Sequence, residues 1–197
     1  MFPGDLFDDR GSVRGYNPAL AAIRCMEEAR RMYARMLWRG RWWRLWMRLR
    51  RQPHHLLLLG QMVPALQVAS RHATGITAVA VRLIRGSESR IGDFDQKFNP
   101  IRTHDRERWV GVAAARLMGH SLPPVELIEL GGVYFVRDGH HRVSIARALQ
   151  QSELEADVVV WETARRETLV GENRPVVGMP GVGQKCQVLC PACTCQE

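Results

Sequence analysis

Between Glu28 and Glu88 the chain has no acidic residue, while twelve arginines fall in the same interval, from Arg30 to Arg85. A surface whose charges compensate one another locally is excluded there. Lysine is nearly missing as well, since 26 of the 28 basic residues are arginine. Long apolar runs are also lacking. Leu56 to Leu59 is followed by Gly60, Gln61 and Pro64, far short of the roughly 20 residues that cross a bilayer, so no transmembrane segment is expected. The opening MFPGDLFDDR is acidic and has no apolar centre, which does not resemble a secretory signal and makes a cytoplasmic protein the expectation. Cysteine is sparse until the end. Cys25 stands alone as a small core residue, and Cys186, Cys190, Cys193 and Cys195 crowd CQVLCPACTC. Their spacing lacks the paired CxxC of structural zinc sites. Incidental thiols in a loose tail are expected, with soft-metal binding as the alternative, and no metal site is assigned.

The formal net charge of +8 is unevenly placed. Residues 88–162 hold twelve acids against nine bases, a net of −3. The basic character therefore belongs to the N-terminal part. Asn17-Pro18 is a helix start, with Asn as cap and Pro at the first helical position. The residues Trp38, Trp42, Leu45, Trp46 and Leu49 share one helical face, with Arg41, Arg44, Arg48 and Arg51 expected opposite. Two readings are open. The helix lies on a membrane or on phosphates, nucleic acid contacting Arg30 to Arg51; or its tryptophans pack on the domain or on a second subunit in a homodimer.

Three parts are expected: a basic helical region (1–71), a small α/β domain (72–162) and a loosely ordered, cysteine-containing tail (163–197). Within the domain, Gly75 to Ile84 is β-branched and reads as one strand, after a short segment through Ala69 that reads as helical. Residues 86–100 are loop-like, Arg106 to Met118 helical, Val125 to Leu130 and Val133 to Val136 a hairpin about Gly131-Gly132, and Ala156 to Trp161 a last strand.

The stretch VYFVRDGHHRVSIARAL (133–149) concentrates the chemistry. It places Asp138, Gly139, His140, His141 and Arg142 between a strand and a helix expected from Val143. First-turn N–H groups and the positive end of the helix dipole make such a joint ready for an anion. Arg142 offers a planar fork to phosphate oxygens. His140 and His141 can donate or shuttle a proton, and Ser144 adds a hydroxyl. Asp138 can orient a histidine, bind Mg²⁺, act as a base, or simply cap the helix. Glu88 and Arg90, on the loop after the first strand, are expected to reach over from the other side, with Asp93 and Asp95 as candidates for metal binding or loop structure.

This order of elements, with the GHHR corner after the hairpin, resembles the ParB/sulfiredoxin superfamily over about residues 75 to 162. GITAVAVRLIRGSESR is similar to the opening strand and its Arg-ending loop, and LPPVELIEL with the 133–149 stretch to the hairpin and signature helix. The resemblance implies a small mixed-sheet α/β domain that binds a nucleoside di- or triphosphate, with Mg²⁺, at the corner. Gly139, His140, His141, Arg142, Ser144 and Arg90 would hold the phosphates, and Asp138, Glu88 and His140 would carry any catalysis. His140 stands where sulfiredoxins have their cysteine, which argues against that activity, while Asp-Gly-His is similar to a free serine kinase of the same fold. A helix-turn-helix half like that of partition proteins is not expected in the residues after the last strand. The expected function is binding of a nucleotide or phosphorylated small molecule, with phosphoryl transfer or nucleotide hydrolysis as the enzymatic form. The alternative is a non-catalytic DNA-binding or regulatory module acting through the arginine-rich helices.

Overall fold

The computed structural model describes residues 17–163 apart from 54, 67 and 91; the expected tail beyond Thr163 and its cysteines lie outside the described residues. The chain starts with α1 (Pro18–Leu49), a helix of 32 residues. Asn17 Oδ1 accepts from the N–H groups of Ala19 and Leu20 at 3.0 and 3.3 Å, satisfying two donors that the first turn leaves free. Ala29, Met32, Tyr33 and Met36 recur at helical spacing and are buried. They share a core with Trp109, Val110, Ala113, Ala114 and Ile145, in which the Tyr33 and Trp109 rings meet edge to face at 5.4 Å. The region expected as a separate basic part thus supplies core residues.

After α1 come β1 (Leu57–Leu58), α2 (Leu59–Leu66) and β2 (Val68–Ala80), then a 3₁₀ turn (Val81–Leu83) and β3 (Ile84–Ser87). The remaining elements are α3 (Arg106–Leu117), β4 (Val125–Leu130), β5 (Val133–Asp138), α4 (His140–Ala148) and β6 (Glu153–Thr163). The fold is mixed α/β. Its six-stranded sheet has the order β1-β3-β5-β4-β6-β2, with β3 and β5 parallel, β4 and β5 antiparallel, and β4 and β6 parallel. Successive strand residues face opposite sides. Val125, Leu127 and Val136 join Val143 of α4 and the loop residues Phe94 and Phe98 in one cluster. Ile128, Leu130, Val133 and Phe135 join Leu59 and Met62 of α2 in another.

The expectations for residues 71–87 are corrected here. The single strand Gly75 to Ile84 is two strands on opposite sides of the sheet, β2 at one edge beside β6 and β3 between β1 and β5. Arg147 of α4 fixes the crossing by donating to the carbonyls of Val81 and Ile84. The expected division at residues 71/72 falls inside β2, and Gly86 and Ser87 belong to β3 instead of a loop. On α1, Arg44 does not face solvent; its Nη1 lies 3.8 Å from the fully buried carboxylate of Asp95, while Trp38, Trp42, Leu45, Trp46 and Leu49 are exposed. Among the described residues no helix is long and apolar enough to cross a membrane.

Candidate functional site

Because β3 and β5 are parallel neighbours, their C-terminal ends lie side by side, with Ser87 paired to Val136. The loop after β3 therefore meets the start of α4, which brings Glu88 and Arg90 to the corner. Ser87 Oγ and His140 Nε2 are 2.8 Å apart. That oxygen also accepts the backbone N–H groups of Arg90 at 2.9 Å and Ser89 at 3.3 Å. With both lone pairs engaged, the hydroxyl must donate to Nε2, which assigns the imidazole proton to Nδ1. Phe94 lies stacked on His140 with ring centroids 6.1 Å apart.

His140 is only 4% exposed. Burial lowers its pKa to about 4, helped by Arg90 and His141 and opposed by Asp138 and Asp93. A histidine whose folded pKa lies below its unfolded value of about 6.5 stays neutral while the unfolded chain takes up a proton. Stability should therefore fall as pH drops from about 6.5 to about 4, by on the order of 3 kcal/mol from this group. Urea unfolding over that range should show the slope. His140→Gln, which keeps an acceptor for Ser87, should remove much of it, whereas an unchanged slope would assign it elsewhere. His141, also lowered by burial, contributes in the same direction.

His141 is 8% exposed and neither ring nitrogen has a hydrogen-bond partner. Its Nε2 is 3.8 Å from Asp105 Oδ2, too far for a hydrogen bond; that same oxygen is 3.1 Å from His104 Nε2. A cavity of about 10 Å³ lies among His141, Asp93, Phe94, Arg102, His104 and Asp105. Asp105 is the residue before α3 and makes no capping bond with its side chain. The N-termini of α3 and α4 therefore converge on this cavity. Each helix turns the positive end of its dipole this way, and the Arg106 N–H of α3 already donates to the Thr103 carbonyl at 3.1 Å.

The other expected site residues are placed differently. Arg142 is held by the protein itself. Nη1 donates to the carbonyls of Pro123 and Pro124, and Nη2 donates to Asp138 Oδ2 at 2.7 Å. Gly139 is the N-cap of α4, which begins at His140 and not Val143, and Asp138 does not cap it. A Cβ at Gly139, where φ is +94°, would lie 2.6 Å from Val125 Cγ1 and 3.0 Å from the Arg142 guanidinium, so only glycine fits. Ser144 is fully buried and its Oγ accepts from Trp109 Nε1 at 3.0 Å, which removes it from the corner. Glu88 pairs with Arg137 at 3.3 Å, and Arg90 is 3.9 Å from Asp93.

Ser87, Phe94, His104 and Asp105 were not singled out from the sequence. Of these, only Asp105 carries a readable signal, an acid immediately before a helix. Among the described residues no three His, Cys, Asp or Glu side chains are grouped to hold a metal ion. Asp138 and Glu88 each face an arginine, Arg142 and Arg137 respectively. No family model, no curated protein and no solved structure matches the chain.

Proposed function

We propose that the chain binds the phosphate of a nucleotide or another phosphorylated small molecule where β3 and β5 end and α3 and α4 begin, in a domain of the ParB/sulfiredoxin type. The observation that carries this reading is His141, a buried imidazole with both nitrogens unpartnered between two helix N-termini. A buried polar group without a partner is costly and calls for one. A phosphate oxygen would accept from the imidazole and from the first-turn amides. Arg90, with its side chain 46% exposed, supplies positive charge at the surface, as does the exposed side chain of Arg102. In this reading Arg142 is a positioning residue, tying the chain before β4 to α4, and Ser87 with His140 supports the wall. If turnover follows binding, Asp138, whose side chain is 64% exposed and paired with Arg142, would act as base, and Mg²⁺ would arrive with the phosphates.

Calorimetric titration with a panel of nucleotides and phosphate esters, with and without Mg²⁺, tests the reading. His141→Ala and Arg90→Gln should each weaken binding roughly tenfold or more, the loss expected for a hydrogen bond to a charged group. Arg142→Lys should lower stability more than affinity, because an ammonium cannot reach two carbonyls and a carboxylate at once. Failure of every phosphorylated ligand to bind, or wild-type affinity in His141→Ala, would reject the corner as the site. Duplex DNA binding that is steep in salt and indifferent to His141→Ala would favour the arginine-rich helix instead.

A further inference from the structure

We propose that the C-terminal half of α1 docks on an anionic membrane surface, lying in the plane of the headgroups. Trp38, Trp42, Leu45, Trp46 and Leu49 are between 53% and 87% exposed. Their spacing places them in one stripe along the helix. Met36 and Gly40, on the other side of the helix, are buried, so the stripe is turned away from the domain. A groove of about 430 Å³ runs between it and Lys97 and Asn99. Single exposed apolar residues are ordinary, but a contiguous tryptophan and leucine patch of this kind marks an interaction surface.

Charge identifies the occupant. At 3.6 residues per turn, Arg39 and Arg50 fall along one border of the stripe and Arg41 and Arg48 along the other, all four exposed. No acid lies between Glu28 and Glu88. A second copy of the chain would set these arginine rows against each other with no carboxylate between them. Nucleic acid would take the arginines but would press Leu45 and Leu49 against phosphates. An anionic bilayer satisfies both halves of the pattern. Leucine and the indole rings enter the boundary below the headgroups, the indole N–H groups stay at its polar level, and the arginines meet lipid phosphates. Arg50 already sits 4.5 Å above the Trp46 ring, at the edge where ring and headgroup would meet. This inference stands on α1 alone and does not depend on the phosphate corner.

The test is flotation of the full chain with vesicles of phosphatidylcholine alone and of an equal mixture with phosphatidylglycerol, with tryptophan emission followed alongside. The chain should float with the mixed vesicles only, and its emission should shift to the blue. Arg41→Gln with Arg48→Gln should lower partitioning roughly thirtyfold. Leu45→Glu, at an exposed position that leaves the core untouched, should abolish it. The proposal is overturned by absence of flotation with mixed vesicles, by equal binding to neutral ones, or by binding that survives Leu45→Glu. It is equally overturned if a DNA duplex binds while vesicles do not, or if a dimer that Leu45→Glu dissociates forms without vesicle binding.

Discussion

Gly86→Ala is expected to destabilise the fold by at least about 3 kcal/mol, although replacing a glycine that sits in ordinary strand backbone usually stabilises by roughly 0.4 to 1 kcal/mol. The sign reverses because of space. A Cβ at Gly86 would lie 2.2 and 2.5 Å from Phe135 Cδ1 and Cε1 and 2.8 Å from the Leu57 carbonyl oxygen. Phe135 is fully buried at the sheet centre, and the carbonyl belongs to β1, which pairs with Gly86 itself. Neither neighbour can step aside cheaply, and overpacking of this kind costs about 1 to 3 kcal/mol even where the surroundings relax. The consequence reaches the site, since Ser87 follows directly and holds His140. Urea unfolding of Gly86→Ala measures the loss. Phe135→Leu added to it should recover part of the stability, a coupling that a double-mutant cycle isolates. A midpoint unchanged from wild type would show that the sheet opens there more easily than its packing indicates.

The elements that depend on local pattern were legible in the sequence. The Gly131-Gly132 hairpin, the helix opened by Asn17-Pro18 and the helix from Arg106 each carry their signal within a few residues. What was not legible depends on distant partners. The apolar run from Gly75 to Ile84 gives no sign that the chain leaves the sheet at Val81 and re-enters on its far side, because that break is fixed by Arg147 from α4. The start of β2 at Val68 was invisible for the opposite reason. Its residues are exposed over most of their length, so no buried face imposes alternation. At the corner the residue types were legible, and so was the approach of Glu88 and Arg90. Their pairings were not. That Arg142 serves Pro123, Pro124 and Asp138, or that Ser144 serves Trp109, follows only from how β4 and α3 pack against α4.

The loop between β3 and α3 was the least legible part, and the second large effect is expected there. Asp95→Ala should cost about 3 to 5 kcal/mol, as removal of one partner from a buried charged network does. Asp95 is fully buried. Its Oδ1 accepts from the backbone N–H groups of Lys97 and Asn99, both at 2.9 Å, and from Asn99 Nδ2 at 3.1 Å. Its Oδ2 accepts from Asn99 Nδ2 at 3.0 Å and faces Arg44. Burial pushes this carboxyl above its ordinary range, against the pull of those hydrogen bonds and of the Arg44 charge. Truncation would strand the donors, and Arg44 Nη1 already lacks a hydrogen-bond partner. Asp95→Asn separates acceptor from charge. It can keep Oδ1 for the two backbone groups but turns an amide toward Arg44, so roughly 1 to 2 kcal/mol is expected. Equal losses in the two variants would mean that charge, and not the acceptor, holds the loop. The loop also carries Phe94, which covers His140 and His141. In Asp95→Ala water should therefore reach the imidazoles, and the pKa of His140 should climb from about 4 toward its ordinary value as desolvation is relieved. Histidine proton resonances followed against pH measure that shift in the fraction that remains folded. If His140 keeps its low pKa while stability falls, the loop is not what shields the corner, and the wall of the proposed phosphate site must be sought in α3.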